Sequence, residues 1–263
     1  TQVLGLIVGG AETSAGGAEI SAGGAAIGVA PQARWIAARV FDDRGRASAG
    51  AVHLAFQWLL DPDGDPATPD APQVVNASWA FGAPGCNLEF QPDLQALQAA
   101  GITAVFAAGN YGPEPASSPS PANYPEALAV GAVDHYDLPY LYSSRGPAEC
   151  GGTRPAFPDL VAPGVDLRTT DLSGLYTTAS GTSLAAPHAA GGLALLLSHF
   201  PTLTLADRRQ ALLAGTYPLS ETIPDPSFGY GRLDLLAAYR WVQNTARYPA
   251  PPIPRLYLPL IEK

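Results

Sequence analysis

The sequence has no methionine, one lysine and two cysteines, and charged residues make up only 14% of its 263 positions. Its arginines form no stripe along any segment, which excludes the basic surface that nucleic-acid-binding domains use. We interpret the net charge of −9 as a solubility feature. Because a translated chain begins with methionine and this one begins with Thr1, we expect an N-terminal truncation; a signal peptide or propeptide could have preceded Thr1, and none is visible in the sequence.

Long hydrophobic runs without polar interruption are also lacking. The longest uncharged run, residues 173–206, contains Pro187, His188 and paired glycines. This composition favours a buried helix with its flanks over a membrane span, so we expect no membrane insertion. Apolar residues make up 47% of the chain, which suits one large domain with a sizeable buried core.

The two cysteines, Cys86 and Cys150, both lie in loops rich in glycine and proline. Their spacing does not match a metal-binding motif, so we assign no metal to them. Two interpretations stay open: a disulfide bond, which would indicate an oxidising, extracellular location, or two free thiols. We favour the disulfide and therefore a secreted protein.

The most informative stretch is residues 178–192, with the sequence TASGTSLAAPHAAGG. Gly181-Thr182-Ser183 predicts a turn, and the uncharged residues 184–200 predict a helix with Pro187 in its first turn. Free N–H groups at a helix N-terminus favour negative charge. A hydroxyl nucleophile needs that setting, because its attack on a carbonyl creates an oxyanion. The alternative is a buried helix whose first turn happens to contain serine.

The apolar pattern predicts alternating strands and helices. We expect strands over 33–40, 73–79 and 102–108, and helices over 48–60, 92–100, 204–215 and 233–242. The third strand leads directly into Gly109 and Asn110, and sites form at the carboxyl ends of strands in open α/β sheets. A plain Gly-Asn turn is the alternative interpretation of that pair.

Several segments resemble subtilisin-like serine peptidases. Gly181-Thr-Ser-Leu-Ala-Ala-Pro-His188 resembles the nucleophile motif of that family, and Ala107-Ala-Gly-Asn110 resembles its oxyanion-hole motif. Gln73-Val-Val-Asn-Ala-Ser-Trp79 and Gly229-Tyr-Gly-Arg-Leu-Asp234 match two more motifs in the family's order. The resemblance therefore covers nearly the whole chain. It implies an α/β fold: a doubly wound, mostly parallel sheet with helices on both faces, truncated at its N-terminus.

The resemblance also implies a Ser/His/Asp endopeptidase that acts on proteins or peptides through an acyl-enzyme. Ser183 would be the nucleophile, and the side-chain amide of Asn110 and the backbone N–H of Ser183 would stabilise the oxyanion. Ala80, where the family usually has glycine, would narrow the specificity pocket. The implied substrate-binding residues, whose segment pairs with extended substrate, are Ser78, Trp79, Ala80 and Gly109.

The catalytic histidine and aspartate of such a triad are expected upstream of Thr1. Thr1-Gln-Val-Leu-Gly5 resembles the tail of the family motif His-Gly-Thr-His-Val-x-Gly, so residues 1–263 should be inactive alone. We interpret His53 and His135 as surface residues, and His188 as unable to replace the base. Two hypotheses stay open: part of an active peptidase, or a non-catalytic pseudoprotease whose groove binds peptides.

The acidic turn Asp61-Pro-Asp-Gly-Asp65 is the candidate cofactor site, because closely spaced carboxylates can bind calcium. Its ligands would be Asp61, Asp63 and Asp65. The complete EF-hand pattern is absent, so an exposed turn without metal is the favoured interpretation, and we expect no cofactor.

The chain ends in a proline-rich segment that is typical of an extended linker. We therefore predict a peptidase domain over residues 1–244, and a linker with a short tail over 245–263. The protein is expected to be a monomer that meets a protein or peptide substrate.

Overall fold

The computed structural model describes residues 1–10, 27–148, 150–152, 154 and 156–245, so the predicted tail beyond Thr245 lies outside the described residues. Its helices are α1 (Gln2–Val8), α2 (Ala49–Trp58), α3 (Gln91–Ala99), α4 (Thr182–His199), α5 (Leu205–Ala214) and α6 (Leu235–Asn244). Its strands are β1 (Val74–Ala77), β2 (Thr103–Ala107), β3 (Ala127–Val133), β4 (Leu160–Pro163), β5 (Leu167–Thr170), β6 (Tyr176–Ala179), β7 (Thr216–Tyr217) and β8 (Arg232–Leu233). None of these helices is both long and apolar enough to cross a membrane.

Six strands form one sheet, in the order β1-β2-β3-β4-β8-β7. β1 to β4 and β8 run parallel, and β7 joins β8 antiparallel at one edge. Pairs such as Val75 with Ala104 and Val130 with Leu160 define the register. β5 and β6 form a separate antiparallel pair. The predicted α/β fold with a mostly parallel sheet is confirmed.

Alternate residues of the central strands enter two hydrophobic cores, one on each face of the sheet. In β2, Val105 packs in the core that contains α4, α5 and α6, whereas Phe106 packs in the core that contains α2 and α3. Successive side chains of a strand point to opposite faces, so a strand covered on both faces is apolar throughout. This is why residues 102–108 form a continuous apolar run, and helices lie on both faces as expected.

Three helices begin at side-chain caps. The hydroxyls of Ser48 and Thr204 and the carboxylate of Asp234 each accept a hydrogen bond from a backbone N–H in the first turn of the following helix. Such caps satisfy donors that the helix itself leaves without a partner. They set the starts of α2, α5 and α6 within a few residues of the predicted positions.

The predicted strand over residues 33–40 is wrong. This segment runs without regular secondary structure and is largely exposed, with Trp35 57% and Ile36 44% accessible. A strand needs a hydrogen-bonded neighbour, and β1, at one edge of the described sheet, pairs there with β2 alone. The segment has a strand-like composition, but no described strand lies beside it.

A disulfide bond between Cys86 and Cys150 joins the loop that follows β1 to a loop that precedes β4. The same region is held by hydrogen bonds: Asn123 Nδ2 donates to the carbonyl oxygen of Gly85 at 2.9 Å, and the Gly85 N–H donates to that of Ser118 at 3.0 Å. The loops beyond the carboxyl ends of β1 and β2 are therefore fixed to each other.

Candidate active site

Ser183 is the second residue of α4 and is half-buried. The residue before the helix is Gly181, whose φ of 149° favours glycine. The Leu184 N–H bonds back to Gly181 O at 3.0 Å, which closes the turn. The N–H of Ser183 is among the first N–H groups of the helix, which have no intrahelical acceptor. The hydroxyl and the N–H of Ser183 therefore both lie at the start of α4.

Pro187 lies inside α4 beyond its first turn, so the predicted first-turn position is wrong. Proline has no N–H, so the carbonyl four residues earlier, that of Ser183, lacks its usual helical partner. The Ser78 hydroxyl takes that place and donates to Ser183 O at 3.0 Å. Asn76 Nδ2 in turn donates to Ser78 Oγ at 3.0 Å. The proline thereby couples the carboxyl end of β1 to the turn that carries Ser183.

The segment after β1 meets Ser183 through its backbone. Ser183 Oγ donates to the Ser78 carbonyl oxygen at 3.4 Å. The side chain of Trp79 points away, and its ring lies edge-on to Phe90 and Phe106 at centroid distances of 5.7 and 5.6 Å. The tryptophan is therefore a core residue whose backbone alone lies at the predicted substrate edge, where half-buried Ala80 follows it.

Asn110 is oriented by the residue that precedes Ser183. Its Oδ1 accepts hydrogen bonds from both the N–H and the hydroxyl of buried Thr182, each at 3.0 Å. These two donors fix which end of the amide is oxygen, so the NH2 group points the other way. A Cβ at Gly181 would lie 3.4 Å from Asn110 Nδ2 and 3.8 Å from its Oδ1, so the whole amide lies close to the backbone just before Ser183.

The structure thus brings Ser183, Asn110, Gly109 and Ser78 together. The Gly109 N–H joins the network by donating to Thr182 Oγ1 at 3.2 Å. No role was predicted for Thr182 or Asn76, although each is a polar residue inside one of the motifs. For Thr182, which is fully buried, that polarity was the available signal, because a buried polar side chain needs partners.

The four histidines have partners other than Ser183. His188 Nδ1 lies 3.0 Å from the Leu184 carbonyl oxygen, and burial lowers the pKa of its imidazole. His199 contacts the Tyr239 hydroxyl at 3.2 Å, and the ring of His135 lies 3.7 Å from that of Tyr136 at a tilt of 43°. Within the described chain, Ser183 Oγ donates to a carbonyl oxygen and not to an imidazole.

His53, which was predicted to be a surface histidine, contacts a carboxylate with each of its ring nitrogens. Its Nδ1 lies 2.8 Å from Asp93 Oδ2 and its Nε2 lies 3.2 Å from Glu89 Oε1. The hydrogen bond to Glu89, together with that to Asp93, raises the pKa of the imidazole. The ring also lies 4.9 Å from that of Phe90. This cluster links α2 to the start of α3, and it belongs to the scaffold.

The acidic turn after α2 gathers a different set of carboxylates from the predicted one. Oxygen atoms of Asp61, Asp63 and Asp70 lie within 4.8 Å of one another. Asp65 instead accepts a hydrogen bond from the Ala67 N–H at 3.0 Å. The N–H of Asp65 donates to Asp63 Oδ1, and this bond lowers the pKa of the Asp63 carboxyl. Asp65 therefore helps to shape the turn, and Asp70 takes its place among the converging carboxylates.

Two solved protease structures are similar to this fold. The prenylagaramide maturation protease PagA superimposes with a TM-score of 0.70 at 25% sequence identity, over 91% of this chain and 80% of that one. The S41 psychrophilic protease superimposes with a TM-score of 0.74 at 27% sequence identity, over 89% of this chain and 76% of that one.

The sequence comparisons point in the same direction. Bacillopeptidase F of Bacillus subtilis is 36% identical over 214 residues, and subtilisin DY of Bacillus licheniformis is 33% identical over 207. Each match covers 78% of this chain, but it spans only 15% of bacillopeptidase F and 67% of subtilisin DY. The family model for subtilases matches residues 1–231. The chain therefore belongs to the subtilase family.

Proposed function

We propose that the protein is a serine endopeptidase in which Ser183 attacks the carbonyl of a peptide bond and forms an acyl-enzyme. The observation that carries this proposal is the pair of hydrogen bonds that Asn110 Oδ1 accepts from Thr182, because they hold the Asn110 amide beside Ser183 and leave its NH2 group facing away from Thr182. That donor and the Ser183 N–H would together stabilise the oxyanion. Both are held in place before any substrate arrives, which is what makes such donors effective.

The reaction also needs a base, and we propose that a histidine and an aspartate outside residues 1–263 supply it. In support, all four histidines of the chain have other partners, and the subtilisins that it matches are longer than the matched segment. Without a base, Ser183 is an alcohol of ordinary reactivity. We therefore expect residues 1–263 alone to be inactive.

The second candidate function is peptide binding without catalysis. It is favoured by one observation: Ser183 Oγ bonds to the Ser78 carbonyl oxygen. In this alternative, extended peptides would pair with the backbone at Ser78 and Ala80, as an added strand does, whatever their sequence. The two candidates share a groove and differ in whether a base reaches Ser183.

We also propose a substrate class, a location, domain bounds and an oligomeric state for the protein. A protein substrate follows from membership of a peptidase family, and the disulfide between Cys86 and Cys150 supports an extracellular location. We propose that the catalytic domain spans residues 1–244, that 245–263 form a linker and tail, and that the protein works as a monomer without cofactor.

Labelling with a fluorophosphonate probe tests the proposal. The probe would be applied to residues 1–263 and to a form extended upstream by about 100 residues, one small-domain segment. We expect only the extended form to label, at Ser183, and the Ser183→Ala variant to remain unlabelled. A folded extended form that does not label would contradict the peptidase proposal and favour peptide binding.

A further inference from the structure

Two backbone segments flank Ser183 and would form the walls of a substrate cleft. β1 and β2 are hydrogen-bonded parallel neighbours, so their carboxyl ends emerge side by side. Residues 78–82 continue from β1 and residues 109–111 follow β2. Ser183 Oγ reaches the first wall at Ser78 O, and Asn110 belongs to the second. A peptide carbonyl held between Ser183 and Asn110 would direct the side chain of its residue between these walls.

A tyrosine crosses from one wall to the other. The Tyr111 hydroxyl donates to the Gly82 carbonyl oxygen at 3.0 Å, and the Tyr111 N–H donates to the buried Ser144 hydroxyl at 3.2 Å. The tyrosine is thus held at both its backbone and its ring end. Beside this crossing, the Phe81 N–H donates to Ser120 O at 2.9 Å. These bonds close the cleft within four residues of Ser78.

The side chains along the two walls are uncharged. A Cβ at Gly109 would lie 2.7 Å from Cγ of buried Pro119, so the proline ring already fills the space beside that glycine. Half-buried Ala80 belongs to the opposite wall. Residues 78–82, 109–111 and 119 include no acidic or basic side chain. A long side chain would meet the proline and the tyrosine, and a charged one would find no partner.

We infer that Tyr111 limits the specificity pocket, so that the enzyme cleaves after short, uncharged residues such as alanine. This inference rests on the proposed peptidase function and adds to it a substrate class and a residue that determines it. Tyr111 acts on specificity: it shapes the pocket and takes no part in the bond-breaking step. Removing the ring should open the cleft to aromatic side chains.

The test uses the N-terminally extended form and chromogenic tetrapeptides that differ only in the residue before the scissile bond: alanine, phenylalanine or lysine. We expect kcat/KM to favour alanine over each of the others by at least about tenfold. Tyr111→Gly should raise the ratio for phenylalanine over alanine by about tenfold or more, and Tyr111→Phe, which removes only the hydroxyl, should raise it less. Tyr136→Gly, at a tyrosine that is 72% exposed, is the matched control and should leave the ratio unchanged.

Failure of the inference is distinguishable from failure of the proposed function. Turnover with the same ratio in Tyr111→Gly as in the wild type, or a wild-type preference for phenylalanine, overturns the inference alone. Absence of both turnover and probe labelling rejects the peptidase function. The cleft is then tested by NMR titration of residues 1–263 with peptides that end in alanine or phenylalanine. Tighter binding of the phenylalanine peptide by Tyr111→Gly supports the role of Tyr111, and equal or absent binding overturns it.

Discussion

The turn that carries Ser183 and the segment over residues 33–40 differ in how completely their surroundings hold them. Around Ser183, Thr182 and Ser78 link α4 to the ends of β1 and β2 through hydrogen bonds of 3.0 to 3.4 Å. In the segment 33–40, Trp35 and Ile36 are largely exposed, and no described strand pairs with the backbone. Ser183 and Asn110, the proposed nucleophile and oxyanion donor, are therefore held by the described residues themselves, whereas no described strand pairs with the other edge of β1.

The strongest test of this contrast compares two aromatic residues of opposite burial. Phe106→Ala removes a ring that is 0% exposed and should lower the free energy of unfolding by about 3–5 kcal/mol. Trp35→Ala removes a larger ring that is 57% exposed and should change it by no more than about 0.5 kcal/mol. Urea unfolding of residues 1–263 measures both. A comparable loss for Trp35→Ala would mean that the segment is packed, and the contrast would be broken.

The next test removes the proposed oxyanion donor. Asn110→Ala in the extended form should lower kcat by about 10²–10³, with little change in KM; this is the size of the loss known for the oxyanion-hole asparagine of a subtilisin, a member of the same family. Thr182→Val removes one of the two bonds that orient the amide and should cost less, about tenfold. Equal kcat values for the wild type and Asn110→Ala, with both proteins folded, would show that Asn110 does not stabilise the oxyanion.

A smaller effect, on stability, is expected at Ser78. Its hydroxyl donates to the Ser183 carbonyl oxygen in place of the N–H that Pro187 lacks. Ser78→Ala leaves the Ser183 carbonyl without its donor and should cost about 1–3 kcal/mol of stability. In the double variant, Pro187→Ala provides an N–H for the same carbonyl, so it should recover about 1 kcal/mol of that loss. Thermal unfolding of the four forms in a double-mutant cycle measures the coupling. Strict additivity would show that the two residues act independently.

The smallest effect concerns His53, which links α2 to α3 away from Ser183. Its pKa is raised in the folded protein by the hydrogen bonds to Glu89 and Asp93. Its contribution to stability is therefore present below the unfolded pKa of about 6.5 and is lost as pH rises through the folded value. The unfolding midpoint, measured from about pH 5 to about pH 9, should fall less steeply in His53→Gln. Identical slopes in the two proteins would contradict this.

Local patterns predicted the architecture well. The apolar run over 102–108, the apolar spacing over 48–60 and the turn at Gly181 each determine an element through nearby residues, so they could be interpreted without the structure. The contacts between the residues of the site could not be predicted in this way. The bond from Ser78 to Ser183 joins residues 105 positions apart, and it arises because Pro187 frees a carbonyl. The predicted strand over 33–40 was wrong for a related reason, since pairing depends on a neighbour that composition cannot reveal.

Among the described strands, β1 has a partner on one side only, and this has a consequence for handling residues 1–263 in solution. Val74 to Ala77 carry neither charge nor proline, the features with which proteins usually protect an edge strand. Unpaired amide and carbonyl groups on a strand edge can pair with those of another molecule. We therefore expect aggregation that increases with protein concentration, so refolding should give more soluble material when it is carried out at high dilution.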